Sequence, residues 1–169
     1  MEGNVRRIFI LMIISLLIIS GCSGDLTVDN SIDFGVQFLE TNYHKETNTI
    51  FKVVSSRDEI EQYYDDACPN WYYPEENVDY YANKFWEAIE VYTDTFFSDK
   101  YLVIILINEG SGSIGHEVER IDENGNIIIN RLLPNGDGTD DMAEWHIIIE
   151  LENDFNPEQF NVVLQDKVN

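Results

Sequence analysis

The chain has 169 residues with 32 acidic and only 10 basic side chains, a formal charge of −22. Such a surface repels phosphates, which excludes nucleic acid and anionic lipid headgroups as direct partners. The length suits one domain, large enough to bury a core without help from cross-links.

Residues 1–21 read as a secretory signal. Arg6 and Arg7 precede a short apolar run from Ile8 to Ile19, which ends in Ile19-Ser20-Gly21-Cys22. The run is too short for a bilayer span, which needs roughly 20 residues. An aliphatic residue and two small ones directly before a cysteine resemble the lipobox of bacterial lipoproteins. The resemblance implies a diacylglyceryl group on the Cys22 thiol, cleavage before Cys22, and a cell-membrane, extracytoplasmic location with acyl chains (palmitate among them) as the anchor. Two acyl chains hold firmly where one is marginal, each buried CH₂ contributing about 0.8 kcal/mol. Cleavage would remove Glu2, Arg6 and Arg7 and leave 148 residues at a formal charge of −23. The membrane would then be held through the lipid alone.

The second cysteine, Cys68, has no intramolecular partner once Cys22 carries lipid, so no internal disulfide is expected. Residues 22–48 read as a tether rich in Ser, Gly, Asp, Asn and Thr, with one apolar patch from Ile32 to Leu39 open to packing on the domain or to forming a short helix or strand. A single domain is expected over 49–169.

Ile50 to Val54 reads as a strand. Ser56 and Glu59 form a capping box ahead of a helix with Ile60, Tyr63, Tyr64 and Ala67 on one side, stopped at Cys68-Pro69-Asn70. An aromatic loop follows with Trp71, Tyr72 and Tyr73. A second helix is expected from Val78 to Tyr92, with Val78, Tyr81, Phe85, Ile89 and Tyr92 on its apolar face. Phe96 and Phe97 sit in a turn.

The continuous apolar run Tyr101–Ile107 suits a strand buried on both faces. Gly110 to Ser113 is a turn, and Ile114–Ile121 and Ile127–Leu133 are strands joined at Asn124-Gly125, a tight-hairpin signal. Ala143–Leu151 alternates, with Ala143, Trp145, Ile147, Ile149 and Leu151 inward and Glu144, His146, Glu150 and Glu152 largely outward. A last strand runs from Phe160 to Leu164. Helices followed by strands predict an α+β domain: two helices, then a twisted antiparallel sheet of five to six strands, a meander or half-barrel.

No catalytic motif is complete, and the expectation is a non-enzymatic chain without cofactor. Gly110-Ser111-Gly112-Ser113 lacks the lysine of a phosphate loop and the flanking glycines of a nucleophile elbow. His116-Glu117 fails the zincin pattern because position 120 is Arg, though His116 and His146 on neighbouring strands would offer two imidazoles. Asn135, Asp137, Asp140 and Asp141 present oxygen ligands around two glycines, a composition calcium favours, so a calcium-dependent binding domain is one alternative. A catalytic site on the sheet, not recognisable from motifs, is the other. Trp71, Tyr72 and Tyr73, flanked by acids, are candidates for a peptide- or carbohydrate-binding surface.

The stretches Phe96–Ile104 and Gly110–Val118, with Leu133-Pro134 and Thr139–His146, resemble uncharacterised lipoproteins of Gram-positive bacteria, over roughly residues 50–152. The layout is similar, more remotely, to the C-terminal domain family of the protease-complex subunit PrcB, whose Thr-Gly-Gly-Tyr-like turn is here Gly110-Ser111-Gly112-Ser113. The resemblance implies a fold and an exported lipoprotein, and no activity. Together these features predict a lipid-anchored module that binds a protein, peptide or envelope component.

Overall fold

The structure is a computed structural model that describes residues 31–41, 50–67 and 78–168. Its centre is the strand built by the longest apolar run, β3 (Lys100–Glu109), paired antiparallel with β6 (Ala143–Glu152). β1 (Gly35–Thr41) borders β6 and β2 (Ile50–Val54) borders β3, giving a four-stranded antiparallel sheet in the order β1-β6-β3-β2. β4 (Gly115–Ile121), β5 (Asn126–Leu133) and β7 (Asn161–Val168) form a second sheet, in which β7 runs parallel to β5. Among the described residues, three helices precede β3: α1 (Arg57–Ala67), α2 (Val78–Ile89) and the short α3 (Asp94–Asp99).

Strand alternation explains the layering. One face of β3 and β6 carries Leu102, Ile104 and Ile148, which pack with Ile60 and Tyr63 of α1 and Phe85 and Ile89 of α2. The opposite face carries Val103, Ile105, Ile107, Ile147 and Ile149, which pack against Val118 and Ile121 of β4 and Ile127 and Ile129 of β5. Both faces are dry, so the central sheet needs a helical layer on one side and a sheet on the other.

The α+β class stands as expected, with the helices ahead of the run β3–β7 and after β1 and β2. Seven strands are present among the described residues, and they divide between two sheets. The last strand spans Asn161–Val168 and closes a parallel pair, because the chain crosses from β6 to the far edge of the second sheet. The sheet also begins ahead of residue 49. β1 lies in the segment expected as a tether and pairs with β6 from Gly35 to Thr41, burying Leu39 and Thr41. Even Ser31 bridges Asp122, and the Ile32 amide donates to the Ile121 carbonyl at 2.7 Å.

The Ser56 N-cap of α1 forms as read, its hydroxyl accepting from the Glu59 amide at 3.2 Å, while the Glu59 carboxylate reaches one residue further back and accepts from the Ser55 amide at 2.7 Å. α2 ends at Ile89, three residues early. Its last turn holds no basic residue, and Arg57 supplies the cation from α1, donating to the carbonyls of Ile89 and Tyr92. Phe96 and Phe97, expected in a turn, lie in α3, whose N-cap is Thr93.

The Asn124-Gly125 turn is a three-residue loop rather than a two-residue one. Asp122 and Asn126 close it, and Gly125 takes φ +81. A Cβ on Gly125 would meet the Gln159 carbonyl at 2.5 Å and Pro157 at 2.9 Å, so the hairpin tip also seats the β6–β7 connection. Gly125→Ala is therefore expected to destabilise the chain by about 2 kcal/mol or more, from the left-handed backbone and the clash together. Urea unfolding checks this, and an unchanged midpoint would show that the connection is not held there.

Candidate functional site: an apolar groove beside edge strand β2

β2 is an edge strand, and its side chains alternate between two surroundings. Val54 is fully buried under the helices. Phe51 and Val53 point the other way, the direction shared by their partners Ile105 and Val103. They remain 39% and 43% exposed. The β6–β7 connection rises opposite them and makes a groove of about 500 Å³, floored by Phe51, Val53, Tyr101 and Phe160 and walled by Asn153, Pro157 and Glu158. That volume lies within the range of about 300–1,000 Å³ usual for ligand sites.

The groove is built on fixed parts. Phe160 packs against Phe51, Tyr101 and Phe155 at centroid distances of 5.7, 6.4 and 6.1 Å. The Tyr101 hydroxyl donates to the Phe155 carbonyl at 2.7 Å, and burial pushes its phenol up to about 12, so it stays neutral. Asn153 ties the start of the connection to α3, its amide to the Asp99 carbonyl and its side chain to that of Ser98. The Asn161 amide ties the end to Gly125. Among the described residues, Glu158 and the neutral Tyr101 are the only ionisable side chains in the lining, and no lysine, arginine, histidine or cysteine is there. The described lining is thus mainly aromatic and aliphatic at its floor and polar at its rim.

Trp71, Tyr72 and Tyr73 fall outside the described residues, as do Cys22 and Cys68. Asn135, Asp137, Asp140 and Asp141 are exposed on the β5–β6 loop, and among the described residues no three His, Cys, Asp or Glu side chains gather as metal ligands. Asp141 is instead engaged structurally: its carboxylate sits below the usual range because it accepts from the Thr139 hydroxyl and the Gly112 amide. Ser111 is spent in the same clasp, bonded to Ser113 at 2.8 Å and Thr139 at 3.0 Å. The loop composition thus serves loop-to-loop closure, and the calcium reading finds no gathered site.

His116 and His146 are both buried, contrary to the expectation that His146 and Glu144 face water. They lie on opposite sides of the four-stranded sheet and cannot share a metal. His146 is under the helices, its Nδ1 3.0 Å from the Tyr63 hydroxyl and its ring against Phe85. Glu144 beside it is fully buried and accepts from the Thr41 hydroxyl at 3.0 Å. His116 is between the sheets, packed against Trp145, and its Nε2 lies 2.9 Å from a Glu109 oxygen. Arg131 grips both Glu109 oxygens at 2.8 and 2.6 Å and reaches Asp166 at 2.6 Å, so β3, β4, β5 and β7 are tied at one end of the sandwich. Alternation alone misassigned Glu144 and His146 because it presumes one wet face, and the helical layer removes it.

The groove went unnoticed in the sequence. Its residues were legible as strand members, but their exposure depends on β2 being at an edge and on where the β6–β7 connection passes. Compared with known proteins, the chain matches no family model, no curated protein and no solved structure.

Proposed function

We propose that this chain is a lipid-anchored, extracytoplasmic, non-enzymatic binding module for a protein or peptide, with the groove beside β2 as its binding surface. The groove is the observation that carries the reading: exposed apolar residues on a rigid base, without acid–base or metal chemistry in the lining. The signal-like residues 1–21 and the lipobox-like Ile19-Ser20-Gly21-Cys22 support the anchor, as does the resemblance to Gram-positive lipoproteins. A formal charge of −22 leaves lipid on Cys22 as the credible membrane contact.

Cys22→Ala is expected to move the protein from the membrane fraction to the soluble or secreted fraction. Persistence in the membrane would remove the anchor reading. The groove is tested in cells by placing a photo-crosslinking phenylalanine at Phe51. Discrete adducts are expected there and not from the same residue at Phe38, which is similarly exposed on the opposite edge strand. Equal labelling at both would count against the groove.

A further inference from the structure

Resting on the binding-module reading, we propose that β2 takes its partner as an added β-strand, and that the partner is an extended polypeptide segment in which apolar residues alternate with lysine or arginine. The first support is the backbone. Among the described residues β2 is the outer strand of its sheet, paired with β3 on one side only. In an antiparallel ladder every second residue then directs its N–H and C=O away from the sheet, ready for a strand about 4.8 Å further out.

The second support is the side-chain pattern beside that edge. Phe51 and Val53, two residues apart, line the groove on one face. A strand laid along β2 therefore sends alternate side chains over Phe51, Val53, Tyr101 and Phe160, the spacing that strand addition uses for specificity. Five residues of β2 give about 17 Å of edge, enough for a segment of five to seven residues.

The third support is charge, which selects the partner. Among the described residues Glu158 is the one charged side chain of the groove lining and Asp154 lies on the same connection, while Lys52, the one cation on β2, alternates to the opposite face and Lys100 is paired with Glu152 at the end of β6. The chain as a whole stands at −22, so a second copy of itself is repelled and an acidic peptide likewise. A basic strand meets attraction at long range and apolar contact at short range.

The test uses the full chain in zwitterionic detergent and a fluorescein-labelled peptide, Lys-Val-Lys-Phe-Lys-Val-Lys, followed by fluorescence anisotropy. Three companions separate the contributions. The Glu-for-Lys peptide is expected to bind at least about tenfold more weakly, and more salt weakens the parent. A peptide N-methylated at alternate residues keeps all charge and side chains but loses its strand hydrogen bonds, and is expected to bind about tenfold more weakly. Phe51→Asp adds negative charge yet removes the groove floor, so the parent peptide is expected to bind it about tenfold more weakly. Val53→Thr, nearly the same shape, should show a smaller loss of about threefold and guards against misfolding of the first variant. Hydrogen exchange of the β2 amides should slow when peptide is bound.

Equal binding of the N-methylated peptide, tighter binding to Phe51→Asp, or no change in β2 exchange would each reduce the attraction to bulk charge and overturn the proposal. Crosslinked adducts at Phe51 in cells, with no binding of the lysine peptide, would leave the module reading standing and overturn the strand mode alone.

Discussion

Arg131→Ala is expected to cost about 3–5 kcal/mol of folding stability, because it strands a buried carboxylate. The Glu109 side chain is only 2% exposed and is gripped through both oxygens by Arg131. Burial by itself would push its carboxyl up. The hydrogen bonds from Arg131 and His116, with the Arg131 charge, outweigh burial and hold it at about 2, below its ordinary 4.5. A depression of that size corresponds to about 3 kcal/mol.

The sign follows from a folded value below the unfolded one. The contribution is fully present above about pH 4.5 and drains away as the pH falls toward 2. The deficit of Arg131→Ala should accordingly be largest at neutral pH and shrink below pH 4. Adding Glu109→Gln to Arg131→Ala removes the stranded charge, so the double variant should be the more stable of the two. Urea unfolding at pH 7 and pH 3 reads all three expectations. A loss under about 1 kcal/mol at pH 7 would mean that the pair behaves like an exposed ion pair.

Phe85→Ala is expected to cost a similar amount, about 3–5 kcal/mol, through a different cause. Phe85 is fully buried at the point where α2 meets α1 and the sheet, with ring centroids 5.4 Å from Tyr64, 6.1 Å from Tyr63 and 5.5 Å from His146. Truncation leaves a cavity that stiff neighbours fill poorly. It also uncovers polar residues of that face, since His146 and Glu144 owe their dryness to the helical layer. Phe85→Leu keeps much of the volume and should lose clearly less. Equal losses for Leu and Ala would show that ring contacts, rather than filled volume, hold α2 in place; a loss under 1 kcal/mol for Ala would show that α2 is loosely seated.

Local rules carried much of the fold. The Ser56 N-cap, the apolar side of α1 and the double-sided burial of β3 all follow from spacing of a few residues, and all are present. What spacing does not contain is which surface a strand's second face meets. β6 illustrates this: Ile147, Ile148 and Ile149 in a row already signal burial on both faces, yet Glu144 and His146 mask it at the strand's start. The partition into two sheets, the parallel return of β7 and the recruitment of β1 are long-range choices, made where apolar area remains to be covered. The groove is a by-product of the same choices, which is why no motif announced it. The buried Glu109–His116–Arg131 set was equally silent, since its members come from three strands and meet only after the sheets pack.

The bridge at Ser31 sets a length. Because the chain is already fastened to the second sheet at Ser31 and Ile32, only nine peptide steps separate Cys22 from the folded body. Nine steps cannot span more than about 30 Å, whatever their conformation. With Cys22 lipidated, the domain, itself on the order of 40 Å across, would be leashed close to the bilayer, its groove sampling a shell no more than about 70 Å high. Any partner strand would have to be delivered into that shell, or belong to something that already lives there.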